Sequence, residues 1–259
     1  MSAFPTAIHL GPFVFHLYGL GLALAAYIAF EYAERRFVRR GLAVDHFGRY
    51  VLWLLGAGLV GARLANIATN WSYYNGHPMR WIAVWQGGLA SFGGIALAIP
   101  VGIVGRRRYW PATDALSFSD TLIPALVLGW AIGRVLGPQF MVDGGGHLTH
   151  QWFGMAYHGQ VGKRVPVPLI QGAEDGLLWG LLLWIERRLP ARRVGVVTGL
   201  AMVIWGLVRA YDERWLLGEQ SHSGSLGVQL AALALSVGGV AVLATVVRRR
   251  TQSPIELRS

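Results

Sequence analysis

The sequence contains no cysteine. That absence excludes a disulfide framework, a thiolate nucleophile and any cysteine-ligated metal. Charge is scarce as well: Asp, Glu, Lys and Arg make up 14% of the 259 residues, against about 25% in an ordinary soluble domain. Acidic residues are the scarcer sign, 13 against 23 Lys and Arg. No Gly/Ser linker, low-complexity tract or internal repeat interrupts the chain, and the lack of a repeat argues against a transporter built from inverted halves. No basic n-region or small-residue cleavage pattern frames the first apolar run, so that run reads as a retained helix rather than a removed signal peptide.

What fills the chain is apolar, at 54% hydrophobic residues, with 35 Gly and 11 Trp. Seven apolar stretches stand between charged borders, at about 12–33, 50–69, 84–104, 116–137, 169–185, 194–211 and 225–247. A soluble fold would have to hide several runs of the length that a bilayer core demands of a helix, roughly 18 residues or more. The expected fold class is therefore an all-α membrane protein, a single integral membrane domain over residues 1–259 with seven transmembrane helices.

The net charge of +10 would suggest nucleic acid in a soluble protein, but here it is read by position. Sixteen of the 23 basic residues fall in connections on one side, among them Arg35, Arg36, Arg39, Arg40, Arg106–Arg108, Arg187, Arg188 and Arg248–Arg250. Only Arg80, Lys163, Arg164 and Arg214 fall on the other; Arg63, Arg134 and Arg209 lie inside or at the ends of spans. Lys and Arg are retained on the cytoplasmic face, which predicts an N-terminus outside and a C-terminus inside. The connection from Pro138 to Pro168, with Gly144–Gly146, His147, His150, Trp152, Tyr157 and His158, is then a periplasmic, interfacial segment where Trp and Tyr rings settle. Residues Trp71 to Trp81 suggest a short interfacial helix or loop.

Ionisable groups inside apolar spans cost roughly 2.5–3.5 kcal/mol each on insertion scales and are functional candidates by default. Five clusters qualify: His16 with Tyr18, Arg63, Arg134, Glu174 with Asp175, and Arg209 with Asp212 and Glu213. The topology puts all of them in the outer halves of their helices, where they would form one polar pocket. Three arginines with carboxylates beside them suit a bidentate grip on a phosphodiester. Taken singly, an arginine near a helix end also serves by snorkelling to the interface, Glu174 as an arginine's partner, and His16 as a packing residue. The irregularly spaced loop histidines have no carboxylate arranged for zinc, so no metal and no cofactor is expected.

In order along the chain, "FHLYGL", "GARL", "WQGGLASFGG", "GRVLGPQF", "PLIQGAE" and "GLVRAYDE" resemble the motifs of the bacterial phosphatidylglycerol–prolipoprotein diacylglyceryl transferase family. The resemblance runs from the first span to "SLGVQL" in the seventh. It implies a lipid donor, phosphatidylglycerol, and an acceptor, the lipobox cysteine thiol of a prolipoprotein signal peptide, with glycerol phosphate released. On the matching positions it places Arg134 and Arg209 on the phosphate, Arg63, Gln171, Glu174 and Glu213 in substrate binding, and Tyr18 and His16 at the first-span motif. Two departures stand out. Phe92 occupies a position where the family commonly has a His proposed as base, which leaves Tyr18, His16 or a loop histidine such as His147 for that role. After Arg134 the family's Gly-Asn-Phe-Ile-Asn becomes Val135–Phe140, with Pro138 and Gln139 both in line for the asparagine. A paralogue with another acceptor, or a non-enzymatic lipid-binding or transport protein, are the alternatives.

Overall fold

The computed structural model describes residues 5–10, 13–83, 90–189, 193–215 and 222–252. Among them the chain forms a two-stranded antiparallel hairpin, β1 (Ala7–Leu10) and β2 (Phe13–His16), with Ala7 opposite His16 and Leu10 opposite Phe13. Nine helices follow: α1 (Leu17–Arg39), α2 (Phe47–Thr69), α3 (Trp71–Tyr74), α4 (Pro78–Ile82), α5 (Ser91–Tyr109), α6 (Ala115–Leu136), α7 (Val167–Arg188), α8 (Val196–Trp215) and α9 (His222–Gln252). A 3-10 turn, Pro138–Phe140, comes after α6.

The seven long helices, α1, α2 and α5–α9, sit where the seven apolar stretches were expected. Among the described residues, three stretches are long and apolar enough to cross a membrane by themselves: Phe47–Thr69, Ala115–Phe140 and Leu226–Arg248. On α1, α7 and α8, residues such as Glu31, Glu34, Glu174, Asp175 and Arg209 lower the mean hydropathy. The start of the first stretch needs correction. Residues 13–16 are strand, and the helix begins at Leu17, so His16 precedes the span instead of standing one turn inside it. The start of the third stretch, residues 84–89, lies outside the described residues.

The chain divides into two compact units, residues 37–115 and residues 1–36 with 116–259. In the first, α2 packs along α5, and Phe37, Phe47, Tyr50 and Trp110 form an aromatic core with ring centroids 4.7–6.5 Å apart. Arg63 is buried here. Its guanidinium donates to the carbonyls of Trp81 at 3.0 Å, Ala83 at 3.1 Å and Arg80, and lies 5.1 Å from the Tyr74 ring centroid.

In the other unit neighbouring helices alternate in direction. A polar knot ties one end of α1, α6, α7 and α8. Pro124 inside α6 has no N–H to give the carbonyl of Asp120, and Arg36 Nη2 from α1 donates to that carbonyl at 3.1 Å, with Nε donating to the Thr121 carbonyl at 2.8 Å. The same guanidinium grips Glu186 of α7 through two contacts of 2.9 Å. The Asp120 carboxylate meanwhile accepts from Gly195 N at 2.6 Å, Thr198 N at 2.8 Å and Thr198 Oγ1 at 2.6 Å, satisfying donors that a helix start leaves open. Above the knot Val127, Leu178, Leu182, Val197 and Ala201 form the apolar core.

Candidate active site

At the far end of α6, α7 and α8 from the knot, Arg134, Gln171, Glu174, Asp175, Arg209 and Asp212 line one narrow, open cleft with Trp130, Trp205 and Val208. Helical periodicity explains the convergence. On α7, Gln171, Glu174 and Asp175 are three or four apart and share a face; on α8, Trp205, Arg209 and Asp212 do the same. Close approach of α7 to α6 is made possible by Gly172, where a methyl group would overlap the Val135 side chain. Gly21 brings α1 equally near, because a side chain there would overlap the Leu136 carbonyl, and it sets Tyr18 within electrostatic reach of Arg134.

The two arginines differ in what holds them. Arg134 lies over the Trp130 ring, 5.5 Å from its centroid, and faces Asp175 and Asp212. Arg209 Nη2 is 3.3 Å from Glu213 Oε2, an ion pair one helical turn long, while Arg209 Nη1 is buried without a hydrogen-bond partner. Two buried oxygens without hydrogen-bond partners accompany it, Glu174 Oε2 and Asp212 Oδ1, while Glu213 Oε2 has the ion pair but no aligned hydrogen bond. Leaving such groups unpaired costs about 1–3 kcal/mol each, and more when charged. These unmet polar atoms gather around one cleft, where water or a ligand can complete their hydrogen bonds. The Gln171 amide does complete one, donating to Asp212 Oδ2 at 2.9 Å.

The structure thus brings together Arg134, Gln171, Glu174 and Arg209, with Glu213 paired to Arg209 and Tyr18 nearby. Arg63 lies in the other unit with its guanidinium occupied by backbone carbonyls. His16 is exposed at the end of β2. Two residues that sequence reasoning passed over are Trp130 and Trp205, whose rings meet edge to face at 5.8 Å. Their signal was present: each stands four residues before an arginine, in "WAIGR" and "WGLVR".

The segment between α6 and α7 folds back on itself through short backbone bridges of Arg164 with Leu148 and Met155. Gln139 is buried and accepts the Tyr157 hydroxyl at 2.7 Å; burial pushes the Tyr157 phenol up to about 12, opposed by that hydrogen bond. Trp152 and Val161 are 88% and 85% exposed. Among the described residues no group of three His, Asp or Glu could hold a metal ion.

Residues 5–247 match the model of the family described as prolipoprotein diacylglyceryl transferase. Similar proteins include three that each bear the name phosphatidylglycerol–prolipoprotein diacylglyceryl transferase. That of Limosilactobacillus reuteri is 28% identical, covering 96% of this chain and 93% of the relative. That of Nitrosospira multiformis is 29% identical over 98% of this chain and 89% of the relative. That of Bacillus licheniformis is 37% identical over 50% of this chain and 47% of the relative.

Proposed function

Because the chain belongs to the prolipoprotein diacylglyceryl transferase family, we infer that it transfers the diacylglyceryl group of phosphatidylglycerol to prolipoproteins, and that the Arg134–Arg209 cleft is where it does so. It is a multi-pass membrane protein and a transferase, of the bacterial inner membrane. The observation that carries the choice of site is the pairing of two guanidinium groups, one of them with an unsatisfied buried N–H, in a single cleft.

The chemistry fits such a cleft. The acceptor is the thiol of the lipobox cysteine next to the signal peptide, so the nucleophile comes from the substrate and a cysteine-free enzyme suffices. Sulfur attacks the glycerol carbon, the C–O bond to phosphate breaks, and glycerol phosphate departs with a second negative charge. Fixed cations in a water-poor site stabilise charge that grows in the transition state. Arg134 and Arg209 supply them, with Glu213 holding Arg209, Gln171 and Glu174 contacting the substrate, and Trp130 beneath Arg134. Arg63, in the other unit, supports substrate binding by ordering the Arg80–Ala83 segment.

Seven membrane crossings, an outer N-terminus, a cytoplasmic C-terminus and a periplasmic segment between α6 and α7 complete the reading. It is supported by the alternation of α1 and α6–α8, with the arginines that end α1 and α7 on the side of the knot, and by the cleft's position at the opposite end. The lipid and the signal peptide then enter sideways from the outer leaflet.

The test is complementation of a strain depleted of its own diacylglyceryl transferase, scored by the mass of a reporter lipoprotein. The chain restores the lipidated mass, and Arg134→Ala, inserted at normal level, does not. Full restoration by Arg134→Ala would remove the cleft as the site.

A further inference from the structure

The cleft holds more negative charge than a phosphate site should. Glu174 and Asp175 come from α7, Asp212 and its neighbour Glu213 from α8, and among the described residues Arg134 and Arg209 oppose them. Two of the four carboxylates are accounted for. Glu213 pairs with Arg209; Asp175 faces Arg134 and lies within hydrogen-bonding reach of the Trp205 indole N–H. Glu174 and Asp212 are left lining the same cleft, close enough to interact electrostatically, and each keeps one buried oxygen without a hydrogen-bond partner, Oε2 and Oδ1 respectively. Asp212 is only 2% exposed, and its other oxygen already accepts from Gln171.

Ionised carboxylates accept hydrogen bonds and cannot donate. Two of them facing each other away from water repel, and a single proton between them relieves both the repulsion and the missing bond. A carboxyl–carboxylate pair of this kind still has one basic oxygen, and it sits on the wall where the phosphate's arginines are. Of the other candidates, His16 is exposed outside the cleft lining, Phe92 has no basic atom, and Tyr18, near Arg134, carries a phenol that ordinarily keeps its proton below about pH 10.

We propose that the Glu174–Asp212 pair takes the proton from the thiol that attacks phosphatidylglycerol, a role that rests on the reading of the cleft given above. The S–H bond breaks as its proton moves to the ionised oxygen of the pair. Sulfur's electrons form the S–C bond at the glycerol carbon, and the electrons of the breaking C–O bond leave on glycerol phosphate, held by Arg134 and Arg209. The pair, now carrying one extra proton, returns it to the departing phosphate. Around Asp212 the charged groups that tune this exchange are Glu174 and Asp175 from α7, Arg134 from α6, and Arg209 and Glu213 on its own helix.

The experiment uses the full chain in lipid nanodiscs with phosphatidylglycerol and two lipobox peptides, one with cysteine and one with selenocysteine, whose selenol is already ionised at neutral pH. A base matters only for the first. Asp212→Asn and Glu174→Gln lower kcat on the cysteine peptide on the order of 10²-fold or more and flatten the acid limb of its pH–rate profile. On the selenocysteine peptide they lose less than about tenfold, and Asp212→Glu recovers part of the thiol rate. Equal losses on both peptides, or no loss on the thiol, overturn the proposal. If Asp212→Asn fails to fold, Glu174→Gln at the less buried partner decides alone. A wild-type chain that modifies neither peptide and consumes no lipid sinks the assignment of the cleft itself, and the proton acceptor with it.

Discussion

Arg209→Lys separates the two things an arginine does in the cleft. Lysine keeps the positive charge one turn from Glu213, so the ion pair seen at 3.3 Å has a successor and neither buried carboxylate loses its counter-charge. Arg209→Ala would instead strand Glu213, whose side chain is 7% exposed, and breaking a buried pair from one side costs about 3–5 kcal/mol of stability. What lysine cannot reproduce is the fork, with one arm toward Glu213 and Nη1 free for the ligand. The loss is one charge-assisted hydrogen bond to the phosphate, about 1.5–3 kcal/mol. At 1.4 kcal/mol per decade this is a fall in kcat/KM of roughly 10- to 150-fold. The assay is the initial rate of thioether formation on a lipobox peptide, read by mass, with detergent-solubilised protein matched for melting temperature. A rate within about threefold of wild type, with the protein intact, would refute the claim that the free arm of Arg209 binds the phosphate.

Three further outcomes follow from the structure. Arg63→Ala leaves the carbonyls of Arg80, Trp81 and Ala83 without their donor, so the unit containing it loses about 1–3 kcal/mol, seen as a lower melting temperature in detergent that phosphatidylglycerol does not restore. Asp120→Ala strips the start of α8 of three hydrogen bonds and costs about 1–2 kcal/mol, measured as faster hydrogen exchange at Gly195–Gly199. Tyr157 stays neutral far into alkali. Because its folded value is raised to about 12, the neutral phenol's contribution is complete below about pH 10, the ordinary tyrosine value, and fades as pH climbs through 12. Ultraviolet difference titration against Tyr157→Phe should place the missing tyrosinate signal in that range.

Much of this protein is written plainly in its sequence, and the failures are instructive. Charge borders located the seven long helices because their apolar runs are bounded by basic residues that mark the turn of the chain, and three of them are long and apolar enough to cross a membrane. The cleft was legible for the same reason: Arg134, Glu174 and Arg209 are conspicuous where charge is costly. Arg63 shows the limit. Its charge stood out equally, but nothing local in a sequence says which distant carbonyls lack donors, and three from the Arg80–Ala83 segment claimed it. The hairpin was missed because Ala7–His16 is as apolar as a helix start; the Gly11–Pro12 dipeptide between two β-prone runs was the available clue. Trp130 and Trp205 were overlooked because tryptophan in a membrane helix excites no suspicion, although its spacing from arginine was repeated.

Arg36's grip on the Asp120 carbonyl has a consequence for the cleft some fourteen residues further along α6, about 21 Å at 1.5 Å per residue. Contacts at that end hold α1, α6 and α7 in register, so the position of Arg134 against its neighbours is set from the opposite end of the helix. A one-turn slip, about 5.4 Å, would break Arg36's grip and carry Arg134 past Asp175. The cleft is kept in shape by a latch it does not contain.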